Sequence, residues 1–234
     1  MKRKLNAIWL LLLLVPGLIG AQESTPEAAN IGVDTAQQRL KEVSISKFED
    51  PGFWAVTMPL DHGIASHRRF EGGPSDKDPL PEEEAAGITE EDQYVLGVKV
   101  EYLRRGSTSI SVMPSRPLAV PGIAKTIQVW VVGRNFNHRL KVVIEDFFGN
   151  RATLDMGKLN FSGWKQLTVA VPPSVQQRSP YYNGVGGIKI LGFVVEPALT
   201  ETYGTYYVYF DDLRVTTDLF AEENRDPDDM VDNW

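Results

Sequence analysis

The feature that most narrows the fold of this chain is a hydrophobic period of two, repeated along its second half with turn residues between the repeats. Tyr94, Leu96, Val98, Val100 and Tyr102 share one face of an extended segment. Ile127, Val129 and Val131 repeat the pattern, as do Leu140, Val142 and Ile144. Leu167, Val169 and Val171 follow, halted by Pro172 and Pro173. Ile188, Ile190 and Val194 alternate against Leu191, Phe193 and Val195, so this segment is apolar on both faces and belongs in the middle of a sheet. The stretch from Thr205 to Val215 is rich in aromatic and β-branched residues, which suit strands. Phe148-Gly149-Asn150, Phe161-Ser162-Gly163 and Val185-Gly186-Gly187 supply turns between the runs. Short alternating strands with regular turns predict an all-β chain folded as one sandwich. Parallel strands need a crossover of a dozen or more residues, commonly a helix, and no helical run of that length lies between these strands.

Before this region the chain changes character twice. Lys2, Arg3 and Lys4 precede an apolar core, Ala7 to Val15, which Pro16 and Gly17 interrupt, and Ala21-Gln22 offers a small-residue cleavage point. That is the layout of a secretory signal peptide over residues 1–21, too short for a membrane anchor. Without Cys the chain has no site for a cysteine-linked lipid and no disulfides, although an exported protein would be free to form them. Residues 22–40 read as a polar leader ending in a helical turn near Thr35 to Lys41. Val43 and Ile45 then open a first strand, so the sandwich is expected over residues 41–217. Within it, residues 71–92 hold three prolines, three glycines and a cluster of acids, and read as a long exposed loop. Residues 218–234 form an acidic tail with seven carboxylates and one Arg.

Charge excludes some partners. The chain has 24 basic and 31 acidic residues; losing Lys2, Arg3 and Lys4 with the signal leaves 21 against 31, a balance of −10. Nucleic acids and anionic membranes require clustered Lys and Arg, so neither is an expected partner. The sequence holds no nucleophile elbow, phosphate-binding loop or paired zinc-ligand motif, and no catalytic or cofactor-binding residue is assigned. His62 and His67 share no strand or helix face and read as solvated. Two acid pairs, Glu49-Asp50 and Asp211-Asp212, leave three readings open: solvated strand ends, a structural calcium clip between sheet edges, or a glycosidase-type pair. Neighbours in a strand alternate faces, so each pair is expected to offer one carboxylate inward and one outward. The aromatic load, with Phe53, Trp54, Trp130, Trp164, Tyr181, Tyr182, Tyr203, Tyr206, Tyr207 and Tyr209, suits core packing, protein interfaces or sugar stacking.

Three stretches carry a family resemblance. They are KFEDPGFWAV at Lys47 to Val56, the block from Ile127 to Pro172, and VYFDDLRVTTDLF with the later DPDDMVDNW. Together they resemble the FlaA-type flagellar filament outer-layer proteins of spirochaetes across nearly all of the chain beyond the signal. The middle block and last strand alone resemble the wider jelly-roll class that includes many carbohydrate-binding modules. The first resemblance implies a periplasmic, non-enzymatic sheath subunit. Its partners would be core flagellins, copies of itself and other sheath proteins. The second implies, as the alternative, a periplasmic carbohydrate-binding module. Jelly-roll likeness also implies that the first and last strands lie side by side. A core flagellin would show sustained heptads, and none exist here. Met230, Val231 and Trp234 put apolar side chains into an otherwise acidic tail, and are the expected assembly contacts.

Overall fold

The computed structural model describes residues 40–80, 83, 85, 87, 92–179 and 186–219. The cleavage point at Ala21 and Gln22, the tail residues Met230, Val231 and Trp234, and Tyr181 and Tyr182 lie outside them. Twelve strands are present among the described residues: β1 (Leu40–Ser46), β2 (Trp54–Thr57), β3 (Gly63–Glu71), β4 (Tyr94–Tyr102), β5 (Ile110–Pro114), β6 (Leu118–Ala119), β7 (Ile123–Val132), β8 (Arg139–Glu145), β9 (Arg151–Lys158), β10 (Trp164–Ala170), β11 (Lys189–Glu196) and β12 (Gly204–Asp218). They form two antiparallel sheets. One runs β10-β7-β12-β4-β3, with β1 also on β12; the other runs β2-β5-β11-β8-β9, with β6 also on β11. The expected all-β sandwich of jelly-roll type is the fold.

The alternating apolar residues form the core between the sheets. Leu96, Val98 and Val100 of β4, Ile127, Val129 and Val131 of β7, and Leu140, Val142 and Ile144 of β8 are all buried in it. The segment apolar on both faces is central, as its pattern requires: β11 pairs with β5 on one side and β8 on the other. Its faces differ from simple alternation, because a bulge between Ile190 and Gly192 shifts the register. Ile190 therefore shares the buried side with Phe193 and Val195. Gly192 allows the bulge: its φ is 134°, and a Cβ there would meet the Val112 carbonyl oxygen at 2.4 Å.

The first and last strands pair as expected, from Leu40 opposite Asp218 to Ser46 opposite Leu213. The expected helical turn near Thr35 to Lys41 is corrected at its end, since Leu40 and Lys41 already lie in β1 and take part in this ladder. The segment after β1 carries the chain from one sheet to the other. Phe48 adopts a left-handed backbone, φ 61°, and turns into the core against the alternation that would have placed it with Ser44 and Ser46. Its ring stacks on Trp54 at 4.6 Å, and Trp54, Phe193 and Phe210 complete a four-ring cluster with centroid separations of 5.5 to 6.3 Å.

Candidate functional site

The outward face of the first sheet is where the chemistry-bearing side chains gather. Tyr209 is in register with Gly97 and Val132, and Tyr207 with Lys99. On β3, Arg68 is in register with Gly97, and Ser66 with Lys99. These residues alternate with the buried set on each strand and so point away from the core. Trp130 and Trp164 occupy the same outward positions on β7 and β10 and are half-buried, whereas Trp54 and Tyr206 belong to the core.

A bulge divides this face. β12 pairs with β7 along one side, but on the other it pairs with β4 as far as Phe210 and with β1 from Leu213. At the handover the register against β7 slips between Asp211 and Arg214, and Asp212 takes a φ of 49°. The bulge overturns the expected one-in, one-out arrangement of this pair: Asp211 and Asp212 are both 1% exposed. The segment expected to be an exposed loop covers them. Lys77 Nζ lies 3.1 Å from Asp211 and 2.6 Å from Asp92, and Arg214 donates to the Asp78 carbonyl at 2.6 Å. Lys47 pairs with Glu83 at 2.9 Å, and Pro74 and Leu80 are buried. Composition underrated this loop because part of its acid cluster is paired, Glu83 with Lys47 and Asp92 with Lys77, and its few apolar residues include the buried Pro74 and Leu80.

The other acid pair serves the same loop. Glu49 accepts bonds from the backbone amides of Gln93 and Tyr94, at 2.6 and 2.7 Å, where the loop returns to β4. Asp50 is exposed, and its carbonyl accepts from Phe53 N in the turn. Arg214 lies 2.7 Å from Asp212, so a lysine and an arginine face the buried carboxylates. Burial raises the Asp211 carboxyl to about 6, and Lys77 only partly offsets this. Burial works against the Lys77 ammonium too, but Asp92 and Asp211 outweigh it and its pKa is raised.

The histidines take different places. His67 is exposed and His62 is half-buried beside Arg104. His138 is fully buried; its Nδ1 accepts from Ala198 N at 3.1 Å and its Nε2 faces the Tyr102 hydroxyl at 3.4 Å. Burial lowers its pKa to about 4, against the pull of Glu201. Those contacts make it a packing residue.

Beyond the docked loop, the face stays open as a groove of about 410 Å³ lined by Arg68, Phe70, Gly97, Lys99, Tyr207 and Tyr209. A second hollow of about 360 Å³, bordered by Arg134 and Phe136, shares the two tyrosines. Gly97 makes the floor: a Cβ there would lie 2.3 Å from the Phe70 ring, which packs edge-on against Tyr209 at 5.7 Å. Arg68 stands 4.3 Å over Phe70, and Arg134 stands 5.4 Å over Tyr209. The tyrosines were visible in the period-two pattern of β12. Arg68, Phe70, Lys99 and Arg134 carry no such pattern; the signal available was Gly97, a position without a side chain on the face of β4 opposite Leu96 and Val98.

Over residues 21–225 the chain matches the family model described as flagellar filament outer layer protein FlaA. It belongs to that family. A flagellar filament outer layer-like protein of Brachyspira hyodysenteriae is 36% identical over 213 residues, covering 91% of this chain and 95% of the relative. A flagellar filament outer layer protein of Spirochaeta aurantia is 32% identical over 117 residues, 46% of this chain and 35% of that protein. Among solved structures, a family 11 carbohydrate-binding module from Clostridium thermocellum in complex with a mixed-linked tetrasaccharide covers 76% of this chain and 97% of its own. It is 11% identical, with a TM-score of 0.42. The three FlaA-like stretches converge on one place in the fold. Phe48 of the first packs 6.3 Å from Phe210 of the third, and Trp130 of the second stands in register with Asp211.

Proposed function

We propose that this FlaA-family chain is a structural subunit of the outer layer of a flagellar filament, laid over a core of flagellins in the periplasm. Family membership across residues 21–225 is the observation that carries this reading. A sandwich exported with a signal peptide reaches the filament from outside, as a coat subunit must. The acidic balance of the exported part makes like subunits repel over the Debye length of about 8 Å, so lattice contacts have to come from packing and local complementarity. Surface chemistry supports a binding role in preference to turnover: Asp211 and Asp212 sit under the loop against Lys77 and Arg214, and Glu49 is committed to backbone amides. Isolation of periplasmic filaments and labelling with an antibody to this chain tests the reading. Continuous decoration along the filament is expected; label found only in the soluble periplasm would refute it.

A further inference from the structure

The groove on the outward face of the first sheet is chemically unlike the rest of this acidic molecule. Arg68 and Arg134 flank its rings, and neither has a carboxylate partner among the described residues. Lys99 adds a third cation, paired with Glu101 at the rim. Arg134 is held at a φ of 57°, a left-handed conformation uncommon for a non-glycine residue, and Asn135 beside it at 60°. Backbone strain of this kind persists where the surroundings impose it, and here it accompanies a guanidinium set over Tyr209. Tyr207 is 40% exposed in the groove. Its occupant should therefore be acidic and should carry a large apolar or aromatic group.

The chain itself contains such a segment. Asp226 to Trp234 has four aspartates, no basic residue, and Met230, Val231 and Trp234. We infer that this segment of one copy docks in the Arg68–Tyr209–Arg134 groove of the next copy, with Trp234 against the tyrosines and the aspartates toward the arginines. The inference rests on the outer-layer reading and names one contact of that layer. Arginine over aromatic rings and carboxylate-to-guanidinium bonds are the interactions it would use. The outer-layer reading, in which identical copies contact one another, favours a neighbour over the same copy. Tyr209 stands nine residues before Asp218 on β12, roughly 30 Å at the rise of a strand. The sixteen steps from Asp218 to Trp234 span up to about 55 Å, so length permits docking in the same copy as well, and the cross-linking below separates the two. A tail on one side and a groove on the other make a head-to-tail contact, which propagates into an open array.

The test replaces Trp234 with a photoreactive phenylalanine analogue in full chains, mixing isotopically light and heavy protein before irradiation. Cross-links from position 234 to residues 66–70 or 205–209 in light–heavy pairs are expected. Cross-links confined to single chains, or directed to other surfaces, would overturn the inference. Sedimentation of the full chain gives a second reading. Trp234→Ala, the double change Arg68→Glu with Arg134→Glu, and Gly97→Val, which pushes the Phe70 ring into the groove, should each weaken self-association about tenfold or more. Mixing the Trp234→Ala chain with the doubly changed chain should restore a dimer that goes no further. Variants that associate like the unchanged chain, or an unchanged chain that stays monomeric at millimolar concentration, would count against the docking. So would displacement of association by neutral oligosaccharides, which would make the groove a glycan site. Co-sedimentation with purified filaments separates the two levels. If the unchanged chain and the variants bind equally, the tail contact fails and the outer-layer reading stands; if the unchanged chain does not bind at all while the cross-links persist, the outer-layer reading fails instead.

Discussion

Replacing Asp211 by asparagine removes a charge that the fold has taken out of water. The carboxylate is 1% exposed and its folded pKa is about 6, against 3.8 for an ordinary aspartate, with burial as the main cause. A group that holds its proton more tightly when folded favours the folded state at low pH. That advantage fades as pH rises through the window from about 4 to about 6. The gap corresponds to about 3 kcal/mol between acid and neutral conditions, since each pH unit is worth about 1.4 kcal/mol. His138 titrates in the opposite sense. Its folded pKa of about 4 lies below 6.5, so stability is full above 6.5 and declines as pH falls toward 4, also by about 3 kcal/mol.

The two nearly cancel in the native chain, and Asp211→Asn uncovers the histidine. At pH 8 the variant should be more stable than the native chain by up to about 3 kcal/mol, seen as a melting temperature higher by roughly 5 to 10 °C. Lys77 keeps Asp92 as its partner at 2.6 Å in the variant. Between pH 6.5 and 4 the variant should then lose stability steadily while the native chain, as far as these two groups decide, stays level. Thermal and urea melts across this range measure both. A variant less stable than the native chain at pH 8 by 1 kcal/mol or more, on the order of a single net hydrogen bond, would show that the Lys77–Asp211 ion pair outweighs the burial penalty and would refute the reasoning.

Four further outcomes are expected. Phe48→Ala should cost about 3–5 kcal/mol in urea unfolding, because it empties one position of the four-ring cluster and leaves alanine in the same left-handed backbone. Glu49→Gln should cost about 1–2 kcal/mol and speed hydrogen exchange at the Gln93 and Tyr94 amides, whose charged acceptor it removes. Arg134→Gly should leave stability within about 1 kcal/mol, since relief of the left-handed strain offsets the entropy of glycine, yet it should weaken self-association measured by sedimentation. Lys77→Met should leave the strands intact but raise proteolysis within residues 71–92, read by limited digestion and mass spectrometry.

What the sequence makes legible follows from what a period of two encodes. Alternation in β4, β7 and β8 places Val98, Val129 and Val142 in the core without reference to any other segment. Alternation fails where the backbone inserts a residue. Neither the Gly192 bulge nor the one at Asp211-Asp212 has a local hydrophobic signal, so strict alternation groups Ile190 with the wrong face and splits an acid pair that the fold buries together. The docked loop fails for a different reason: it is held by Lys47 on Glu83, Lys77 on Asp211 and Arg214 on the Asp78 carbonyl, contacts between residues distant in sequence. The groove was half legible. Tyr207 and Tyr209 could be placed on one face of a strand, but their neighbours Phe70 and Arg134 arrive from β3 and from the turn after β7, and only sheet order brings them together.

The position of the docked loop bears on how a coat subunit can use its broadest face. An outward sheet face that carries half-buried Trp130, Trp164 and Tyr209 beside exposed Tyr207 would, left uncovered, invite association without a fixed geometry. Here the bulge switches β12 from β4 to β1 at Phe210 and Leu213, and the loop is pinned on the resulting step through Asp211, Asp212 and Arg214. It shuts one half of the face with ionic contacts that depend on a single register, and leaves the other half as a groove with a cation at each end. The buried charges stabilise the subunit little, because two carboxylates, a lysine and an arginine have been moved out of water to make them. Their effect is to fix where the loop lies, and therefore where the groove begins. A lattice needs every copy to present the same contact in the same place, and buried Asp211, Asp212 and Arg214 with partly buried Lys77 meet that need at the cost of stability that Asp211→Asn should restore.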